Sequence, residues 1–296
     1  MNALILAAGL GNRLRPITSL IPKPLLNIIN RPLIEINIER LASIGVEKIG
    51  INIFYKAHLL KKFLVKSSAP VCIKEEKKLL GTGGALRNFQ DLFKDGLIIH
   101  NCDVLSNINI KQAIKFHNSH KAIATLVLTK NRGTNYFQID KSRRIIAFSK
   151  NRKNQYTYTG IAIISKKILP FLPEADCFSI VDVYEKLIQR QMMIMGYPVK
   201  EDWFNINTFE KYWQIHHDLL NKKVRLEGIA APKKIYIDRS SEVKTKNLDG
   251  FISVQPACFI SGRVSLKDTV VIARSRIDDG NFEKCLLSDR FCIRVK

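Results

Sequence analysis

The strongest constraint on this chain lies at its start. Leu4-Ile5-Leu6-Ala7-Ala8-Gly9 is an apolar run that enters a glycine-broken loop, Leu10-Gly11-Asn12-Arg13-Leu14-Arg15-Pro16, with Pro22-Lys23-Pro24 soon after. Such a run predicts a buried strand that stops at Gly9. Glycines at 9 and 11 let backbone N–H groups approach a docked molecule that a side chain would hold off. Arg13, Arg15 and Lys23 then supply cationic donors suited to an anion with several phosphates. Two phosphate loops are excluded. A dinucleotide fingerprint needs a third glycine where this chain has Leu14, and no Gly-Lys-Ser/Thr of a Walker loop follows. The bland alternative is a surface turn with solvated arginines.

Taken whole, Gly9-x-Gly11-x-Arg13-x-x-Pro16 followed by Pro22-Lys23-Pro24 resembles the signature of the sugar-1-phosphate nucleotidyltransferases, or NDP-sugar pyrophosphorylases. The resemblance runs from residue 2 to about residue 220 and thins beyond Asp103. It implies an α/β fold: a Rossmann-like nucleotidyltransferase domain with a mixed, mainly parallel sheet. It also implies a Mg2+-dependent reaction in which an NTP and a sugar 1-phosphate give an NDP-sugar and pyrophosphate. In that reading Ala7, Ala8, Gly9 and Gly11 line the nucleotide, and Arg13 and Lys23 hold its phosphates and the leaving group.

The chain beyond the loop reads as alternating elements. Residues 2–8 and 46–54 are strand-like, 71–73 is a short strand candidate, and 32–41 and 58–66 have helical spacing. That order predicts a parallel sheet covered on both faces. In Gly81-Thr82-Gly83-Gly84 three glycines stand ahead of an apparent helix over 85–93, where free N–H donors are expected. Gly81, Thr82 and Gly83 resemble the family's second nucleotide loop, which contacts base and ribose. Residues 97–104 read as a buried strand ending in Asp103, which the resemblance makes the Mg2+ ligand. His100 and Asn101 read as structural hydrogen-bonding groups, and Cys102 stands where relatives carry glycine. Residues 136–148 read as a hairpin whose turn lacks glycine.

Later matches to the family pattern are partial. Lys150 keeps the sugar-phosphate cation of a Glu-Lys-Pro motif, while Ser149 and Asn151 depart from it. Gly160 is expected beside the sugar, within a strand over 156–164. Trp203-Phe204-Asn205-Ile206-Asn207-Thr208-Phe209-Glu210 resembles a Trp-x-Asp-x-Gly-Thr-Pro-Glu segment. Asn205 replaces the second metal-binding aspartate, so it brings an amide oxygen and no charge. Asn207 replaces the glycine, and asparagine tolerates a left-handed backbone better than most residues.

Near residue 225 the pattern changes. Leu248, Val254, Ile260, Leu266 and Ile272 recur every six residues, with Ile252, Cys258, Val264 and Val270 in a second register. This is the repeat of a hexapeptide β-helix, left-handed and parallel in the family, against the alternative of a β-sandwich. The expected organisation is therefore a catalytic domain over 1–225 and a short β-helix domain over 226–296, with homo-oligomerisation through the exposed end of the coils.

Bulk properties limit the alternatives. The chain has 48 Lys and Arg against 26 Asp and Glu, a formal charge of +22. The excess is scattered in pairs such as Lys61-Lys62 and Lys222-Lys223, which favours a solvated surface over one binding stripe. A nucleic-acid or anionic-surface binder stays open as the lesser alternative. A nucleotide-sugar-binding regulatory subunit, with Asn205 as the lesion, is the nearer one. Six scattered cysteines form no C-x-x-C pair, so reduced, mostly buried thiols are expected. No apolar run approaches the roughly 20 residues of a membrane span, and a cytoplasmic location is expected.

Overall fold

The computed structural model describes residues 1–130, 136–149, 156–230 and 233–295. The chain divides into two compact units: Met1–Gly9 with Asn37–Trp203, and Leu10–Ile36 with Phe204–Lys296. The glycine loop beyond Gly9 thus groups with the C-terminal segment, although the strand that feeds it belongs to the first unit.

The first unit is built on a nine-stranded sheet. Its strands are β1 (Asn2–Leu6), β2 (Ile49–Ile53), β3 (Val71–Glu75), β4 (Leu97–Asn101), β5 (Ala124–Thr129), β6 (Tyr136–Ile139), β7 (Ile145–Ser149), β8 (Tyr156–Ile164) and β9 (Ile194–Val199). β1 pairs in parallel with β2 on one side and β4 on the other, and β3 extends the parallel part beyond β2. β8 lies antiparallel to β4, β5 and β6, which makes the sheet mixed as expected. Ala3, Leu4 and Ile5 are fully buried, as are Ile49, Ile51 and Ile53, so continuous apolar runs mark strands covered on both faces. The helices are α1 (Leu33–Ser43), α2 (Ala57–Leu64), α3 (Gly81–Asn88), α4 (Ile110–His120) and α5 (Ile180–Gln189). Asn109 caps α4 by accepting from the Gln112 N–H, and Ser179 caps α5 in the same way from Val181.

Several elements differ from the sequence reading for local reasons. β9 has no clear sequence signal, because Gly196 and Pro198 break its apolar pattern, yet it pairs along its length with β5. The 136–148 hairpin turns without glycine because Arg143 itself takes φ 65°, while Asp140 accepts from the Arg144 N–H. The cysteines are less uniformly buried than expected: Cys102, Cys258 and Cys285 are buried, but Cys177 and Cys292 are exposed. Among the described residues no helix is long and apolar enough to cross a membrane.

In the second unit, β11 (Glu242–Val243), β13 (Phe259–Ile260) and β15 (Arg276–Ile277) form one parallel sheet. β10 (Ile235–Ile237), β12 (Leu248–Val254), β14 (Val264–Val271) and β16 (Gly280–Ser288) form another, closed by β17 (Phe291–Arg294) antiparallel to β16. Val243, Ile260 and Ile277 stand in register across the first of these sheets. The repeat residues Ile252, Val254, Cys258, Ile260, Val264 and Leu266 fill the core between the sheets. Helix α6 (Phe209–Leu220), capped by Thr208, packs against β12, β14 and β16. Three donors converge on the Asn27 carbonyl: the Tyr212 hydroxyl at 2.8 Å, Gln255 Nε2 at 3.2 Å and His216 Nε2 at 3.2 Å. The other His216 nitrogen, Nδ1, accepts from the Ser253 hydroxyl at 3.0 Å. A buried polar cluster is tolerable only when its members are paired like this.

Burial pushes the pKa of His100 to about 3, of His117 to about 4 and of His216 to about 3. All three are neutral in the folded chain, against an ordinary value of 6.5 when unfolded. Their folded-state pKa is depressed, so the stability they contribute is complete above pH 6.5 and is lost as pH falls toward 4 and 3. Urea unfolding between pH 7 and 4.5 should show stability dropping below pH 6.5 by about 1 kcal/mol per pH unit for each histidine. A flat profile there would contradict the neutral, buried assignment.

Candidate active site

In an open α/β sheet, ligands bind beyond the C-terminal ends of the strands where the strand order reverses. Here that point is β1, with β2 and β3 on one side and β4 on the other. Leu6, the last residue of β1, stands in register with Asn52 and Asn101. The Cys102 N–H donates to the Leu6 carbonyl at 3.1 Å, so the segments leaving β1 and β4 run side by side. Ala7, Ala8 and Gly9 leave one strand, and Asp103, half-buried, leaves the other. Gly9 is exposed, and a Cβ built on it meets nothing within 4 Å. Its glycine is therefore not demanded by packing within the fold.

The residues around Asp103 are fixed from several sides. Asn37 Nδ2 donates to the Cys102 carbonyl at 2.8 Å. Arg40 donates to the Ser106 carbonyl and hydroxyl and to the Ile108 carbonyl, pinning the chain that follows Asp103. His100 donates from Nδ1 to the Asn101 carbonyl at 2.9 Å, leaving a buried, unpartnered Nε2. Burial depresses its pKa most, the Arg40 charge adds to that, and Asp103 opposes it. Gly160, buried at φ 87°, lies against Asn101: a Cβ there would sit 2.7 Å from Asn101 Nδ2. Trp203 Nε1 donates to the neighbouring Thr159 carbonyl at 2.8 Å.

The second glycine stretch differs from expectation. Gly81, Thr82, Gly83 and Gly84 do not precede a helix; they are its first turn. Their N–H groups are not all free, because Gly83 donates to the Phe178 carbonyl at 2.9 Å. The Thr82 hydroxyl accepts from the Ile180 N–H at 2.9 Å. A Cβ at Gly83 would lie 2.2 Å from the Phe178 ring, and one at Gly84 2.4 Å from the Asp176 carbonyl oxygen. These glycines let α3 press against the segment that leads into α5, a tertiary demand invisible in the sequence.

In the second unit, Gly11 has φ 67°, and its carbonyl accepts from the Leu14 N–H at 2.9 Å and the Thr18 hydroxyl at 3.0 Å. A Cβ on Gly11 would meet Thr18 Cγ2 at 2.8 Å and Lys23 Cβ at 3.4 Å, so the loop folds back beside Lys23. Arg13 and Arg15 are exposed, and Lys23 is half-buried. Asn205 carries a buried Oδ1 that accepts no hydrogen bond, and Asn207 Oδ1 is in the same state. Asn207 is not among the described residues with positive φ. Among the described residues no three His, Cys, Asp or Glu side chains gather to hold a metal ion. Lys150, together with Asn151, lies outside the described residues.

Comparison with known proteins matches residues 2–222 to the nucleotidyl transferase family. A UTP–glucose-1-phosphate uridylyltransferase of Synechocystis is 24% identical over 92% of this chain and 76% of its own length. A mannose-1-phosphate guanylyltransferase of Arabidopsis thaliana is 26% identical over 94% of this chain and 82% of its own. The crystal structure of HddC from Yersinia pseudotuberculosis shares the fold, with a TM-score of 0.63 at 24% identity, covering 73% of this chain and 98% of that one.

The two kinds of glycine should separate on substitution. Gly83→Ala should destabilise the protein by about 1–3 kcal/mol, because the Phe178 ring must move, and thermal denaturation reads this directly. Gly9→Ala should leave the melting temperature within a few degrees of the parent while lowering nucleotide affinity.

Proposed function

The chain belongs to the nucleotidyl transferase family, and we propose that it transfers a nucleotidyl group from an NTP to a sugar 1-phosphate, giving an NDP-sugar and pyrophosphate. The observation that carries this reading is the switch point of the sheet at β1. There the chain that leaves β1 toward the open Gly9 is tied, through the Cys102 N–H and the Leu6 carbonyl, to the chain that leaves β4 toward Asp103. A polyanion needs the first, and the cation that screens its charge needs the second.

The chemistry requires no protein nucleophile. An oxygen of the sugar phosphate attacks the α-phosphorus in line, the bond to the β-phosphate oxygen breaks, and pyrophosphate leaves. The protein positions the two substrates and neutralises phosphate charge. Arg13 and Lys23 take the phosphates and the leaving group. Ala7, Ala8, Gly9, Gly11, Gly81, Thr82 and Gly83 line the nucleotide. Lys150 and Gly160 serve the sugar phosphate and the sugar.

Asp103 fits Mg2+, an ion that takes few protein oxygens and completes its shell with phosphates and water. The buried, unpartnered Oδ1 of Asn205 suits a cation's weaker ligand. When bound, the ion would neutralise phosphate charge during transfer. Asn205 supplies no negative charge, so this site should hold the ion less firmly than a pair of carboxylates would. That same residue favours a second reading, a nucleotide-sugar-binding regulatory subunit with little activity.

We read the C-terminal coils as a left-handed hexapeptide β-helix, a reading supported by their parallel pairing and by Val243, Ile260 and Ile277 in one stack. The functional division is then 1–225 for catalysis and 226–296 for the coils. Homo-oligomerisation through the coils and a cytoplasmic location accompany this proposal.

Pyrophosphate release with Mg2+, measured for four NTPs crossed with a panel of sugar 1-phosphates, tests the function. A productive pair should appear, and Asp103→Ala should lower its kcat at least about a hundredfold. Asn205→Asp should lower the Mg2+ concentration needed for half-maximal rate. A wild type that binds nucleotide but is silent, with activity in Asn205→Asp, would instead establish the regulatory reading.

A further inference from the structure

Glu76 belongs to a run of charges, Glu75-Glu76-Lys77-Lys78, that reads as solvated surface. In the structure its residue is only 4% exposed, while Glu75 beside it is exposed. A carboxylate is rarely buried without a cation, and among the described residues none pairs with Glu76. Its two oxygens are instead engaged separately. Oε2 accepts from the Leu80 N–H at 3.0 Å, immediately before the first residue of α3. Oε1 accepts from Asn52 Nδ2 at 2.8 Å. Asn52, 3% exposed near the end of β2, turns its Oδ1 to the Ala7 N–H at 2.8 Å. The positive end of the α3 dipole, together with the two donors, offsets the buried charge.

One carboxylate therefore reaches two places where the chain leaves regular structure: directly at the start of α3, and through Asn52 at the segment after β1. The order of donors and acceptors is fully determined. The Ala7 and Leu80 N–H groups can only donate, so Asn52 must present its oxygen to Ala7 and its amide nitrogen to Glu76. The side chain at position 76 must then accept at both of its terminal atoms. A carboxylate does this and an amide cannot.

We propose that Glu76, acting through Asn52, is a positioning residue that holds the first and second glycine segments in the mutual register required for nucleotide binding. The inference rests on the reading that both segments line the nucleotide. It assigns Glu76 no contact with the reacting atoms. Its loss acts on nucleotide affinity more than on turnover, because the phosphate-binding side chains and Asp103 stay where they are.

The test compares wild type, Glu76→Gln and Glu76→Gln combined with Asn52→Asp. Glu76→Gln alone forces two donors to face each other somewhere along the relay. Adding Asn52→Asp removes that conflict. The introduced carboxylate accepts from Ala7 and from the introduced amide, whose own oxygen accepts from Leu80, and one buried negative charge is retained. Glu76→Gln should raise KM for the NTP about tenfold with kcat within about threefold, and the double variant should recover most of the loss. Wild-type KM in Glu76→Gln, or a double variant no better than the single, overturns the proposal. Should Glu76→Gln fail to fold, the double variant decides alone: near-wild-type KM supports the relay, and a tenfold loss overturns it. A wild type that releases no pyrophosphate sinks the functional reading instead. Equilibrium binding of the four NTPs to the same proteins then judges the relay, with the same loss and recovery supporting it and their absence overturning it.

Discussion

The first unit rests on the parallel pairing of β1 with strands on both sides. That pairing seals a wholly apolar strand inside the sheet, and it leaves the end of the strand as the place where the chain direction reverses. Everything assigned to the nucleotide around β1 follows from that placement. Ala7–Gly9 emerge there because β1 ends there, and Asp103 emerges beside them because β4 pairs with β1 to its last residue.

Several polar groups buried around the ends of β1 and β4 are paired in ways that restrict movement more than they add stability. Arg40 holds the chain after Asp103 by its carbonyls, and Asn37 holds the Cys102 carbonyl. Each bond is worth about 1 kcal/mol net, but leaving any of these groups unpaired would cost more. The second unit repeats this arrangement at the Asn27 carbonyl, where three side chains converge. The buried amide oxygens of Asn37, Asn205 and Asn207 depart from this pattern, since none of them accepts a bond.

Local chemistry makes much of this legible in the chain itself. The apolar runs locate β1, β2 and β4, and the six-residue spacing locates core residues of the second unit, where Val254, Ile260 and Leu266 are fully buried. Where the reading fails, a long-range contact is responsible. Gly83 reads as a free turn donor, but its N–H is taken by Phe178, nearly a hundred residues away in sequence. Glu76 is indistinguishable in sequence from Glu75, because charge runs carry no sign of which member will be covered. β9 has too irregular a pattern to announce itself and exists because β5 offers it a partner.

Residue type and periodicity, which act over a few positions, were enough to set the strand that enters the loop, the cations that follow it, the carboxylate at 103 and the six-residue spacing of apolar positions in the C-terminal strands. Three further facts came from the folded arrangement. The chain leaving β4 toward Asp103 is bonded to the end of β1, the α3 glycines serve packing against Phe178, and Glu76 is joined through Asn52 to Ala7. Those facts depend on which distant segments the sheet order makes neighbours, and burial is conferred by neighbours rather than by the residue that is buried.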